Sequence, residues 1–398
     1  MMNRRAFLRL CALSAALLSA AGSEPASANP LVEKQVFSLD NFQFQSQSRA
    51  LPVKIGYETY GTLNSARDNA ILVCHYFSGT SHAAGKYRAG DPAPGWWDSV
   101  IGPGKAIDTD KYFVVSSDVL CNLNFHNPDV TTTGPASIDP QTGREYALDF
   151  PLLTLRDIVS VQRELISSLG IEKLALVCGP SLGGIQSFAW ARYFPEMVSR
   201  ICPVVSLPVI RPMMMMNPGQ LAIDAIQLDP NWKDGNYYGG APPTEGLLLA
   251  FKILLMSAQS DPLLESRYGR RPADPLRLPQ DFFDGEFLVD RATEELVRGR
   301  LNTYDANSYI YLSKAVTLFD LREPGQSVEE ALGEIKVPTL MINDRSDLMF
   351  GPEASEEMAS QLGNAELFLY DSGVGHLSCL TQTQLFSNKI SEFLDGAL

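Results

Sequence analysis

The sequence predicts a doubly wound α/β fold, a mostly parallel sheet with helices on both faces and a helical lid inserted into it. Three observations carry that reading. Short apolar, β-branched runs alternate with stretches of helical periodicity. One run leads straight into a Gly-x-Ser-x-Gly turn followed by a helix. The alternation then stops near Arg211 and resumes near Glu334. Composition agrees: 398 residues, 45% hydrophobic and 20% charged, exclude a disordered, collagenous or coiled-coil chain. With 32 basic against 46 acidic side chains the net charge is −14, which repels phosphate backbones and anionic membrane surfaces. Nucleic acid is not an expected partner.

In chain order, residues 1–28 read as a twin-arginine-type signal peptide. Arg4 and Arg5 precede the apolar stretch Leu10 to Ala21 and the small-residue site Ala26-Ser27-Ala28. That apolar run is too short for a comfortable membrane span, so no stable membrane anchor is expected after cleavage. The expected location is periplasmic or secreted. The leader holds three Arg and one Glu, so the mature chain carries 29 basic and 45 acidic residues, a net of −16. Five cysteines remain, Cys74, Cys121, Cys178, Cys202 and Cys379, an odd number without close pairing and no disulfide framework.

Ile71 to Cys74, Phe113 to Val115, Leu174 to Val177, Ile201 to Val205 and Pro338 to Ile342 read as buried parallel strands, with Leu367 to Tyr370 a later one. Leu152 to Leu169 has apolar residues at helical spacing and is stopped by Gly170. Residues 29–210 and 334–398 therefore form the sheet domain, and 211–333 the lid. The run Met213 to Met216 suits a flexible apolar surface over a cavity, or plain packing, better than a cofactor box.

The chemistry centres on Gly179-Pro180-Ser181-Leu182-Gly183. A sharp strand-to-helix turn lifts the serine into the open, and glycines on either side give clearance where a Cβ would collide. Ser181 then attacks a carbonyl while the Leu182 N–H stabilises the oxyanion. A hydroxyl needs a base, and only four histidines exist. His75 and His82 read as loop-shaping residues without metal-type spacing, and His126 lies in an Asn-rich loop with no evident partner. His376 follows the late strand, where the chain order Ser, acid, His puts the base. The loop after Pro338 to Ile342 offers Asp344 and Asp347; Asp347, ahead of a turn into a helix, fits better, while Asp344 can pair with Arg345. The loop His75 to His82 supplies the second oxyanion donor, with Phe77 N–H the candidate. No metal or other cofactor is expected.

Gly95-Trp96-Trp97-Asp98, Ile101 to Asp110, Tyr57 to Gly61, Thr133-Gly134-Pro135 and Asp149-Phe150-Pro151 resemble the homoserine O-acetyltransferase family of α/β-hydrolases. The resemblance runs from about Val53 to the C-terminal helix and is weakest in the lid. It implies the α/β-hydrolase fold, an acyl-enzyme mechanism through Ser181, Asp347 and His376, an oxyanion hole from Phe77 and Leu182, and a homodimer built through the lid. Two acceptor-pocket positions depart from the family. Ile223 stands where the family presents an Arg, and Leu377 where it places an Asp after the catalytic His. The leader is a third departure. On these grounds the expected activity is that of an exported serine hydrolase cleaving an ester or related acyl bond of a small molecule. An acyltransferase moving an acyl group from acyl-CoA to an alcohol is the alternative, and a catalytically silent binding scaffold a third.

Overall fold

A computed structural model describes residues 31–46 and 50–396. The leader expected over 1–28 lies outside these residues. Among the described residues there are ten strands: β1 (Gln35–Gln43), β2 (Ala50–Tyr60), β3 (Ala70–Cys74), β4 (Ile101–Gly102), β5 (Ile107–Asp108), β6 (Phe113–Ser117), β7 (Leu176–Pro180), β8 (Ile201–Val204), β9 (Thr339–Asp344) and β10 (Ala365–Tyr370). Eight of them make one sheet in the order β1-β2-β6-β3-β7-β8-β9-β10, while β4 and β5 pair as a separate two-stranded ribbon. The pairs β1·β2 and β2·β6 are antiparallel and all others in the large sheet are parallel. Strands β3, β7 and β9 are buried along their whole length, which is why they read as continuous apolar runs.

The expected strands are all present, with ends shifted by a few residues. What the apolar runs did not announce is the β1–β2 hairpin. Along β2, Leu51, Val53 and Ile55 point inward while Pro52 and Lys54 are exposed, the alternation of a strand with one wet face. Helix α1 (Leu155–Ser168) fills the stretch expected to be helical. Thr154 and Asp157 close its N-terminus reciprocally: the Thr154 hydroxyl accepts from Asp157 N–H and the Asp157 carboxylate from Thr154 N–H. Helix α2 (Leu182–Tyr193) follows β7 and is buried almost throughout.

Between β8 and β9 the described residues add no strand to the sheet. They form α3 (Leu221–Leu228), α4 (Thr244–Ala258), α5 (Asp261–Arg267), α6 (Leu288–Arg298), α7 (Ala306–Thr317) and the short α8 (Val328–Gly333). Helices α3 and α4 cross closely at Gly246, where a Cβ would sit 2.7 Å from the Ala225 carbonyl oxygen. Helix α7 is tied to the sheet domain through Tyr311, whose hydroxyl donates to the Phe150 carbonyl at 2.7 Å. Helix α8 packs on α9 (Pro352–Gln361) of the sheet domain. The chain closes with α10 (Ser387–Leu394).

Candidate active site

The turn after β7 is built by exclusion. A Cβ on Gly179 or on Gly183 would lie 2.1 Å from the Cys74 carbonyl oxygen, so both positions must be glycine for β3 and α2 to come this close. Gly184 faces Ser206 in the same way, at 2.5 Å. Ser181 is consequently held at φ 56° and ψ −117°, a conformation unfavourable for a residue with a Cβ, at the N-terminus of α2.

Asp347 arrives from the connection after β9 and His376 from the connection after β10, both beyond β8 in the sheet. The Ser181 hydroxyl lies 2.8 Å from His376 Nε2, and His376 Nδ1 lies 2.8 Å from Asp347 Oδ2. With the proton on Nδ1, the ring donates to Asp347 and accepts from Ser181. The other Asp347 oxygen accepts from the N–H groups of Met349 and Phe350, at 2.7 and 3.2 Å, which fixes the carboxylate's direction. All three side chains thus meet in one line, Asp347 and His376 buried and Ser181 half-buried.

Asp344 departs from its expected pairing with Arg345. Its carboxylate is fully buried and accepts from the hydroxyls of Ser346 and Ser372, while Ser346 also accepts from Gly375 N–H at 3.0 Å. It therefore ties the acid-bearing loop to the histidine-bearing one. Arg345 is exposed and turned away from this enclosed space, whereas the two serine hydroxyls reach the carboxylate.

The loop after β3 forms the wall facing Ser181. Phe77 and Leu182 both line the cavity above the serine. Two asparagines that sequence reasoning did not single out hold this loop: Asn122 donates to the Gly79 carbonyl and Asn124 to the Ser78 carbonyl, each at 3.1 Å. His75 is buried against Asn122, and burial holds its imidazole below the usual histidine range. His82 lies 3.0 Å from Glu58 and stacks on Tyr87, and His126 lies edge-on to Phe125. None of these three reaches Ser181.

The triad opens into a cavity of about 460 Å³ between the sheet edge and the lid. Leu254, Leu255, Val297 and Val316 supply its lid wall, Leu377 and Met349 part of its floor. Leu377 thus stands at the site, as its sequence position implied. Ile223 does not: it is buried on the inward face of α3 within the core, where a β-branched side chain packs, and has no surface on the cavity. Met214 alone of the Met213 to Met216 run reaches the cavity, while Met213 and Met216 are exposed. Among the described residues one arginine, Arg300, two residues beyond the end of α6, lines the cavity, another residue the sequence reading missed. A larger groove of about 730 Å³ between β1, β2 and residues 130–140 contains no member of the triad. The five described cysteines are free and buried, Cys379 beside the site, with burial raising its thiol well above the usual range. Among the described residues no group of three or more His, Cys, Asp or Glu is placed to hold a metal ion.

A family model of the alpha/beta hydrolase fold matches residues 69–383. A curated homoserine O-acetyltransferase of Deferribacter desulfuricans is 41% identical over 365 residues, covering 91% of this chain and 94% of the relative. The chain belongs to the homoserine O-acetyltransferase family of α/β-hydrolases. Among solved structures, the family's homoserine O-acetyltransferase from Bacillus anthracis is 42% identical with a TM-score of 0.88, covering 92% of this chain and 98% of that one. A structure titled esterase E22 is 38% identical with a TM-score of 0.85, covering 92% and 100%. The family relatives favour the acyltransferase, placed second in the sequence reading, over the exported hydrolase placed first. Nothing in them supports export.

Proposed function

We propose that the protein forms an acyl-enzyme on Ser181 from a small ester or thioester donor and passes the acyl group to an alcohol, as an acyltransferase of the homoserine O-acetyltransferase type. The observation that carries this is the unbroken line from Ser181 through His376 to Asp347, opening into the cavity beneath the lid. His376 Nε2 takes the Ser181 proton as the oxygen attacks the donor carbonyl. The N–H groups of Phe77 and Leu182 receive the oxyanion. Collapse expels the donor's thiol or alcohol, which takes the proton from His376. The acceptor hydroxyl then loses its proton to the same nitrogen and attacks the acyl-enzyme, and a second collapse frees Ser181. Asp347 holds the imidazole tautomer and stabilises the imidazolium in each half.

Hydrolysis, with water as acceptor, is the second reading, and Leu377 favours it. A homoserine acceptor brings an ammonium into the cavity, and a leucine in place of the family's Asp offers that charge no partner; water needs none. The likeness to a solved esterase points the same way. Incubation with acetyl-CoA and homoserine, following free thiol and O-acetylhomoserine separately, tests the acceptor. Ester formed in step with thiol supports transfer; thiol without ester supports hydrolysis. Export through the leader at 1–28 completes the proposal. Mature protein from the periplasm or medium is expected to begin near Asn29, and a chain still starting at Met1 would contradict cleavage.

A further inference from the structure

The triad's side chains all belong to the sheet domain, yet the loop that carries His376 is fastened to the lid. This loop runs from the end of β10 to the short helical turn Ser378–Thr381 and pairs with no strand. On one side it is held by Asp344 through the Ser372 hydroxyl and by the Ser346 hydroxyl through Gly375 N–H. Its other side rests on the elbow between α4 and α5, where the lid chain bends by 107°. Ser260 N–H donates to the Val374 carbonyl at 3.0 Å, the Ser260 hydroxyl to the Gly373 carbonyl at 2.6 Å, and Leu377 N–H to the Ala258 carbonyl at 3.2 Å. His376 is thus bracketed, because the chain both before and after it is bonded to the lid. Gly375 shows how close the two segments lie: its φ is 88°, and a Cβ there would sit 2.8 Å from the Ser260 nitrogen.

Ser260 is 2% exposed, and its hydroxyl is used twice. The oxygen accepts from Leu263 N–H at 3.2 Å, which caps α5, while the proton goes to Gly373. A cap needs only an acceptor, so capping alone does not account for where the proton points. One oxygen therefore sets the start of α5 and the place of the histidine loop together. We propose that Ser260 is a positioning residue for the reaction: it acts through the Gly373–Val374 backbone to hold His376 Nε2 at hydrogen-bond distance from Ser181. The lid then helps to set the base, besides walling the cavity. This rests on the acyl-enzyme reading above and adds a residue that supports it. The leverage is geometric, since misplacing a reacting group by about 1 Å costs about a hundredfold in rate. Loss of the hydroxyl frees a stretch of chain that has Gly373 and Gly375 as pivots.

Ser260→Gly tests this, because glycine caps a helix nearly as well as serine while removing the hydroxyl. With p-nitrophenyl acetate, kcat is expected to fall by about ten- to a hundredfold while KM stays within about threefold. Ser260→Thr, which keeps the hydroxyl, is expected to restore most of kcat. Wild-type kcat in Ser260→Gly, a loss carried by KM alone, or an equal loss in Ser260→Thr at unchanged Tm overturns the role. Ring-nitrogen NMR of protein carrying isotope-labelled histidine follows His376 without turnover; the chain has four histidines, and His376→Ala assigns the signal. The wild-type ring is expected to carry its proton on Nδ1, and Ser260→Gly to move both ring-nitrogen shifts as the contacts with Asp347 and Ser181 lengthen. Unchanged shifts in folded Ser260→Gly overturn the role whatever the kinetics. Shifts that move in Ser260→Gly, when the wild-type protein turns over no ester, keep Ser260's hold on His376 and remove the acyl-enzyme reading.

Discussion

The two walls of the cavity are built on different principles. On the sheet side, position is set by backbone geometry and buried polar contacts: glycines at 179 and 183, Asn122 and Asn124 on the loop after β3, and Asp344 between the acid and histidine loops. On the lid side, aliphatic side chains such as Leu254, Leu255, Val297 and Val316 present shape with almost no hydrogen bonding. The first wall tolerates little change because each contact fixes a reacting atom. The second is replaceable, since one aliphatic residue substitutes for another with modest loss. Reaction chemistry therefore belongs to the sheet wall and accommodation of the acyl chain to the lid wall. Contacts between them are few but direct: Ser260 of the lid donates its N–H to the Val374 carbonyl at 3.0 Å and Leu377 donates to the Ala258 carbonyl at 3.2 Å.

The sharpest break in this contrast comes from the triad. Ser181→Ala and His376→Ala are each expected to lower kcat by about four to six orders of magnitude in esterolysis of p-nitrophenyl acetate, with the double variant barely worse than either. Near-wild-type turnover by folded Ser181→Ala would remove the nucleophile. Asp347→Asn, which presents the wrong hydrogen-bond partner to His376, is expected to cost about 10⁴-fold in kcat. Asp344→Asn keeps its serine contacts in part, and steady-state assays should find a loss at least tenfold smaller. An equal loss would mean that the two aspartates act as one unit.

Gly183→Ala tests the backbone side of the comparison. Its Cβ meets a main-chain carbonyl that cannot rotate away, so a drop of about 3 kcal/mol or more in denaturant stability is expected. On the lid, Leu255→Ala leaves the reacting atoms in place. Kinetics with acyl chains of rising length should show KM rising by up to about tenfold for long chains, while kcat moves by no more than about threefold. A kcat collapse there would erase the division between the walls.

The smallest expected effect is a pH dependence of stability. Glu58 is fully buried; burial raises its carboxyl, but hydrogen bonding to His82, the charge of Lys34 and the Tyr87 hydroxyl outweigh that and hold it below the ordinary range. A depressed acid contributes stability above its unfolded pKa, lost as pH falls through the folded one. Burial also depresses His75, a base, so below its ordinary range the unfolded chain again takes up more protons. Both signs agree. Tm is expected to fall as pH is lowered from 7 toward 4 and to be flat between 7 and 8, and Glu58→Gln should flatten the lower part of that slope.

How much of this was legible in the sequence follows the same division. The parallel strands showed as apolar runs because both faces of β3, β7 and β9 are covered, and the turn at Ser181 showed because its glycines answer to a local collision. The β1–β2 hairpin was missed although Leu51, Val53 and Ile55 alternate with the exposed Pro52 and Lys54, because the reading sought buried runs instead of a period of two. Asn122 and Asn124 were not legible: their partners are carbonyls more than 40 residues away, and no spacing announces such a bond. Arg300 was hidden for a like reason, since only the fold of the lid brings it to Ser181's cavity. Ile223 shows the converse, a motif position whose side chain the helix turns into the core.

The account stands on an acyl group passing through Ser181. Rapid mixing of the mature protein with p-nitrophenyl acetate, acid quench and intact-mass analysis reads that event directly. The account predicts a transient species heavier by one acetyl group, located on the peptide containing Ser181, absent from Ser181→Ala and discharged faster when an acceptor alcohol is added. Product release in the wild-type protein with no acylated species at any mixing time, or an adduct that persists in Ser181→Ala, would contradict it.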